Sequence, residues 1–261
     1  MRIVIAIGIL LLATAALAET SEWDGQRPVP SIPYSFTPNG TDNPTNVAIF
    51  RDQMPWGGST DDDILMANAI AFTVFGSGDI GSVDLAPFDK IIISNQQPLT
   101  FNNTVSTNKA WFDGFVDAGG ILLLGLAHYE MDLPVGLTMP GGYNLAGFAT
   151  NNIVTIVDSD HEVFTIPNLV SEEEMQGWSF SSHGDLNTPL GSMALVMNAE
   201  FSSGPALAQV PLGNGWIIAT TLTYQWSGAS YNFAENLVLY LPEGVVAIEA
   251  TTLGAVKCLF R

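Results

Sequence analysis

The stretch "STNKAWFDGFVDAGGILLLGLA", residues 106–127, decides the fold. Its first part places Trp111, Phe115 and Ala118 on one face at helical spacing, and Gly119-Gly120 ends the pattern, so a helix is predicted over 106–120. The continuation "ILLLGLA" (121–127) is apolar at successive positions, which a strand tolerates only when both its faces are covered. A helix running straight into a doubly covered strand is the repeating unit of a parallel sheet.

The same rhythm extends upstream. "FDKIIIS" (88–94) and "NVAIFRD" (46–52) read as further buried strands. "STDDDILMANAIAFTVFG" (59–76) reads as a helix capped by Ser59 or Thr60. Asp61, Asp62 and Asp63 fill its first turn, where a helix N-terminus favours negative charge, and Gly76 stops it. Ile64, Ala67, Ile70 or Ala71, and Val74 supply its apolar stripe. Downstream the character changes. "NIVTIVD" (152–158), "MALVMN" (193–198), "ALAQVPL" (206–212) and "GWIIATTLTY" (215–224) are strands with little room for helices between them, the last two joined through Gly213-Asn214-Gly215 as a hairpin. "SYNFAENLVLYL" (230–241) closes the domain as a helix. The expectation is a three-layer, doubly wound α/β domain over residues 46–241, with a mainly parallel sheet and a C-terminal antiparallel hairpin.

Composition narrows the function classes. Seven basic residues stand against 26 acidic ones, a formal net charge of −19, so the basic stripe that nucleic-acid binding requires is missing. Anionic membrane surfaces are disfavoured by the same repulsion. Only 13% of residues are charged and 47% are hydrophobic, which describes a core-rich globular chain and not an acidic disordered one. "MRIVIAIGILLLATAALAET" combines Arg2, a short apolar run and a small-x-small tripeptide at 16–18. Residues 1–18 therefore read as a signal peptide, and export is expected. Residues 19–45, with five prolines, read as an extended arm. The single cysteine, Cys258, forbids an intrachain disulfide, and export without disulfides suits a bacterial periplasm, cell surface or exterior. Residues 242–261, carrying Lys257 and Arg261, read as a sorting or docking tag, as one more edge strand or as a disordered end.

The order of these segments resembles the class I glutamine-amidotransferase-like superfamily, in particular its non-amidotransferase, trehalose-utilisation-like members. The residues that carry the resemblance are the Asp-rich helix start, "FDKIIISN", "DAGGILLLGL" with Gly119-Gly120, Asp160-His161-Glu162 in place of Asp-His-Pro, and Gly213-Asn214-Gly215-Trp216. The resemblance covers residues 46–241. It implies the amidotransferase-like fold and places a nucleophile on a sharp turn after the central strand, in a Gly-x-Cys-x-Gly setting. This chain has Gly125, Leu126, Ala127 and His128 there, and no cysteine, so thiol-dependent amidotransfer is excluded. The trehalose-utilisation-like pattern implies a histidine near His128, although the spacing here is longer.

The three histidines are the chemical candidates. His128 lies beyond the carboxyl end of a parallel strand, where open α/β sheets bind ligands, with Glu130 and Asp132 following. Imidazole and carboxylate there either work as an acid-base pair or begin a solvated loop; the H-x-H spacing of a metal site is absent, and neither metal nor cofactor is expected. His161 in "DSDHEVF" reads as structural, pinning its loop. His183 belongs to "WSFSSHGDL" (178–186), where Ser181 and Ser182 adjoin it without the glycine-flanked elbow of a nucleophilic serine. That segment reads as a strand-to-loop stretch turning at Gly184, or as a binding rim formed by Trp178 and His183. Trp56, Tyr143 and Trp226, with Tyr231, sit near glycines and could either stack on sugar faces or cover the sheet ends. The leading expectation is a non-catalytic binding module for a carbohydrate or an envelope protein. The alternatives are a hydrolase acting on a sugar through His128, Glu130 and His183, which requires those imidazoles to converge, and a structural module of a surface assembly.

Overall fold

The computed structural model describes residues 43–130, 132–178 and 181–242. The expected signal peptide, the arm up to residue 42 and the tail from residue 243 lie outside the described residues.

Apolar strands determine the architecture. β1 (Asn46–Phe50), β3 (Lys90–Ile93), β4 (Ile121–Gly125) and β10 (Gly215–Thr220) are the interior parallel strands of an eight-stranded sheet of order β2-β1-β3-β4-β10-β9-β8-β6. β2 (Ala71–Phe75) extends the parallel part to one edge. β9 (Pro205–Leu212), β8 (Met193–Asn198) and β6 (Val154–Ile156) continue it antiparallel to the other. The two faces of β4 serve two cores. Ile121 and Leu123 pack in the layer containing α1 (Thr60–Ala67) and α4 (Tyr231–Leu239), while Leu122 and Leu124 pack under α2 (Leu99–Thr107) and α3 (Lys109–Asp117). This is the doubly covered arrangement that an all-apolar strand requires. β9 and β10 form the expected hairpin: Leu212 pairs with Gly215, and Gly213 turns at φ +60°, a conformation favouring glycine. α4 is capped by Ser230, whose hydroxyl accepts the Phe233 amide.

Three expectations need correction. The helix over 59–76 ends at Ala67: the Asn68 side chain donates to the Ile64 carbonyl, Ala69 adopts φ 56°, and Ala71–Phe75 pairs with β1 as strand β2. Ile70 and Val74 fit a helical period but belong to a segment whose aromatic and β-branched residues suit a strand. The helix over 106–120 is two helices meeting at Asn108, which ends α2 and starts α3, and α2 begins seven residues upstream of the expected start, at Leu99. Finally, the expected change from strand to loop at Gly184 does not occur. Ser182–Asn187 is strand β7, paired with β5 (Asn144–Asn151) as a separate antiparallel ribbon. Gly184 accommodates a kink within it at φ +116°.

Candidate functional site

Four parallel strand ends are tied together by side-chain amides. After β3 the chain runs Ser94-Asn95-Gln96-Gln97, and Asn95 crosses so close to β4 that a side chain at Gly125 would meet its backbone nitrogen at 2.6 Å. Asn95 Oδ1 accepts the Ala127 amide at 2.9 Å, and its Nδ2 donates to the Leu222 carbonyl at 3.1 Å. Its own backbone amide donates to Gln225 Oε1, and Gln225 Nε2 donates in turn to Asp61 Oδ2. Gln97 Oε1 receives the amides of Asp52 and Gln53. Gln96, in a left-handed conformation, accepts the Trp56 backbone amide on its side chain. Asp61, expected as a helix-capping charge, is instead buried at the first turn of α1; burial pushes its carboxyl up to about 6. Asp62 pairs with Arg51 at 2.6 Å, and Asp63 receives the Ser59 hydroxyl.

On this platform His128 and His183 meet. The His128 amide donates to the His183 carbonyl at 3.3 Å, and His183 Nδ1 lies 2.8 Å from the His128 carbonyl. A carbonyl only accepts, so Nδ1 of His183 carries the proton. His128 Nε2 likewise faces the Phe148 carbonyl at 3.3 Å and donates to it. His128 Nδ1 is then left as a lone-pair acceptor, buried without a hydrogen-bond partner among the described residues. The rings lie 5.9 Å apart, flanked by Trp56 at 6.0 Å from His183 and Phe148 at 4.7 Å from His128. Burial lowers the pKa of both imidazoles, which favours their neutral forms.

Beside the pair lies a cleft of about 440 Å³ lined by Gln53, Gln96, Pro98, Leu99, Tyr129, Glu130 and Asp132. Tyr129 is 46% exposed. Asp132 Oδ1 accepts the Tyr129 amide at 2.7 Å, and burial raises its carboxyl to about 6, with Glu130 adding to the rise. Among the described residues, no cationic side chain lines the cleft.

The sequence candidates therefore divide. His128 and His183 come together; Glu130, exposed at φ 49°, lines the adjoining cleft. Trp56, half-buried, lies edge-on to His183 and does not line the cleft. Trp226 is half-buried and packs against the α1/α4 core. Tyr143 is no exposed contact: it is fully buried under the α2/α3 layer, its hydroxyl 3.5 Å from Ser192. Trp178, 4% exposed, also belongs mainly to the core, donating Nε1 to the Glu174 carbonyl and lying against Phe233; it also lines a separate acidic groove with Tyr231. Ser181 and Ser182 are fully buried and spend their hydroxyls on the carbonyls of Asn152 and Gly184, so neither is a nucleophile. His161 caps a short 3-10 turn through Nδ1 and meets Gln209 through Nε2, the expected structural role. Leu126 and Ala127 are buried and are not left-handed, so the strained nucleophile elbow is absent as well as its cysteine. The amides of Asn95, Gln96, Gln97 and Gln225, and the aromatics Tyr129 and Phe148, were not singled out from the sequence. The available signal was "SNQQP" directly after the isoleucine run of β3.

No family model and no curated protein matches the sequence. Solved structures share the fold. A protein assigned as a GMP synthase component from Thermoplasma acidophilum superposes with a TM-score of 0.50 at 11% identity, over 76% of this chain and 94% of that one. A cytoplasmic protein from Salmonella typhimurium LT2 gives the same score and identity over 74% and 98%. The match to a cold-adapted β-galactosidase from Rahnella sp. R3 has a TM-score of 0.45 at 17% identity, covering 77% of this chain, which spans only 33% of that enzyme. At these identities the likeness shows an amidotransferase-like α/β fold.

Proposed function

We propose that this amidotransferase-like domain is a non-catalytic binding module whose ligand is a neutral, hydroxyl-rich molecule of the carbohydrate class, held in the cleft beside His128 and His183. The observation that carries this reading is the lining: amides from Gln53 and Gln96, carboxylates from Glu130 and Asp132, an exposed Tyr129 ring and, among the described residues, no cation. Carboxylates and amides accept and donate to sugar hydroxyls, and an aromatic face covers the apolar side of a sugar ring. An anionic ligand would meet two carboxylates and nothing to neutralise it. Calorimetric titration with neutral manno-, gluco- and galacto-oligosaccharides tests the proposal. Binding should weaken at least about tenfold, about 1.4 kcal/mol, in Tyr129→Ala and in Asp132→Asn. Silence from every neutral oligosaccharide up to about 10 mM, a limit near 3 kcal/mol of binding free energy, would reject it.

One observation favours a hydrolase: the convergence of His128 and His183, each presenting a fixed tautomer, next to a cleft holding Glu130. Release of nitrophenol from aryl glycosides, lost in His183→Ala, would support that second reading; no turnover would remove it. Export through residues 1–18, and a role for residues 242–261 in a surface assembly, remain proposals on sequence grounds. Cell fractionation of full-length and 243–261-deleted protein tests both.

A further inference from the structure

The two edges of the large sheet are finished differently. At the β6 edge, Gln176 lies along Val154 like a strand, accepting its amide at 2.9 Å and donating to its carbonyl, while Glu172 accepts the Ile156 amide. Side chains thus cover the outward backbone groups, a standard protection against unwanted pairing. The β2 edge has no such cover among the described residues. Arg51 donates to the Phe75 carbonyl, which turns Ala71, Thr73 and Phe75 toward β1 in the alternation of a parallel ladder. The N–H and C=O of Phe72 and Val74 therefore point outward. The strand "AFTVF" carries no charge or proline, and its register with β1 is unbroken by a bulge, so the usual devices that blunt an edge are missing. Ala71, Thr73 and Val74 are exposed, and Met66 of neighbouring α1 is 59% exposed.

Charge indicates what such an edge takes. Between residues 43 and 242 the only cations in the sequence are Arg51, Lys90 and Lys109. Arg51 is held by Asp62 and Lys90 is buried. Asp52 and Asp79 lie at the carboxyl end of β2, where both bind backbone amides of the turn that follows it. A second copy would bring the same acidic surface against itself. We propose that β2 is a docking edge for an extended segment of another protein, an uncharged β-forming stretch with Lys or Arg flanking it where it meets Asp52 and Asp79. Main-chain bonds to Phe72 and Val74 would supply affinity, and the flanking cations would supply specificity.

The test uses the full chain and two labelled synthetic peptides, alternating Thr and Val between lysine pairs or between glutamate pairs, read by fluorescence anisotropy. The lysine-flanked peptide should bind at least about tenfold more tightly than the glutamate-flanked one. Val74→Pro removes one outward donor at an edge position where proline is tolerated, keeps every charge, and should cost at least about tenfold in affinity. Independently of any variant, amide exchange at Phe72 and Val74 in the unmodified protein should slow on adding the lysine-flanked peptide, with Thr73 unchanged. Equal binding by Val74→Pro, or by both peptides, would overturn the proposal, as would unaltered exchange at Phe72 and Val74. Two further results would also overturn it by assigning the edge elsewhere: a concentration-dependent dimer abolished by Val74→Pro, or peptide binding that appears only after residues 243–261 are removed.

Discussion

Replacing Asp61 with asparagine should make the protein more stable at neutral pH but hardly alter it in acid. Asp61 is 2% exposed in the first turn of α1, and its Oδ2 accepts the Gln225 amide. Burial raises its carboxyl from 3.8 to about 6. The folded state therefore holds the proton more tightly than the unfolded chain. The neutral acid's contribution is fully present below pH 3.8 and is lost as pH rises through 6. A shift of this size corresponds to about 3 kcal/mol at 1.36 kcal/mol per pH unit. The helix N-terminus favours the carboxylate by about 0.3 to 1 kcal/mol and opposes the effect without cancelling it. Asparagine keeps the shape and still offers an oxygen to Gln225. Urea unfolding of both proteins from pH 3.5 to 8 should show Asp61→Asn gaining about 2 to 3 kcal/mol on the parent across the interval. Taking the difference removes titrations common to both, including those of Asp132 and the histidines. A difference that stays flat with pH, or a parent that gains on the variant as pH rises, would refute the assignment of a buried, proton-retaining carboxyl beneath the site.

Lys90 should show the complementary window. Burial lowers its ammonium from 10.5 to about 7 while Nζ donates to the carbonyls of Leu237 and Tyr240 at the end of α4, so relative to Lys90→Met the parent should gain stability as pH rises from 7 to 10.5. The gain is bounded at about 5 kcal/mol, and parallel urea titrations of the two proteins would measure it. Asn95→Ala leaves the Ala127 amide and the Leu222 carbonyl without their partner and should cost about 2 to 4 kcal/mol in chemical denaturation. Gly184→Ala puts a side chain at φ +116°, 3.0 Å from the Gly147 carbonyl and 3.5 Å from the His128 ring; a loss of about 1 to 3 kcal/mol is expected, with the His128 and His183 NMR resonances displaced.

Much of the frame was legible in the residues. β4 is apolar throughout and β3 is apolar after Lys90, and such strands have few options except the middle of a covered parallel sheet, which also locates His128 beyond a strand's carboxyl end. The hairpin at Gly213 and the Ser230-capped helix carried local signals that held. α1 and β2 were merged because Ile70 and Val74 satisfy a helical period; the break between them rests on Ala69 in a left-handed conformation, which its side chain does not advertise. β5 and β7 were obscured because neither "NLAGFATN" nor "SHGDLN" alternates cleanly, and each is a strand through its pairing with the other.

The site shows the same division. Residue type and position made His128 and His183 candidates, but their meeting depends on the β5–β7 ribbon carrying His183 back to a residue 55 positions earlier. Tyr143 reads as a surface aromatic beside a glycine turn and Trp178 as a rim contact, yet both are buried, because exposure depends on which distant segment packs over a ring. Periodicity and turn chemistry act between near neighbours and can be read along the chain. Burial, the lowered imidazole pKa values, the raised carboxyl of Asp61 and a β2 edge uncovered among the described residues arise from contacts between distant residues, and only the tertiary structure decided them.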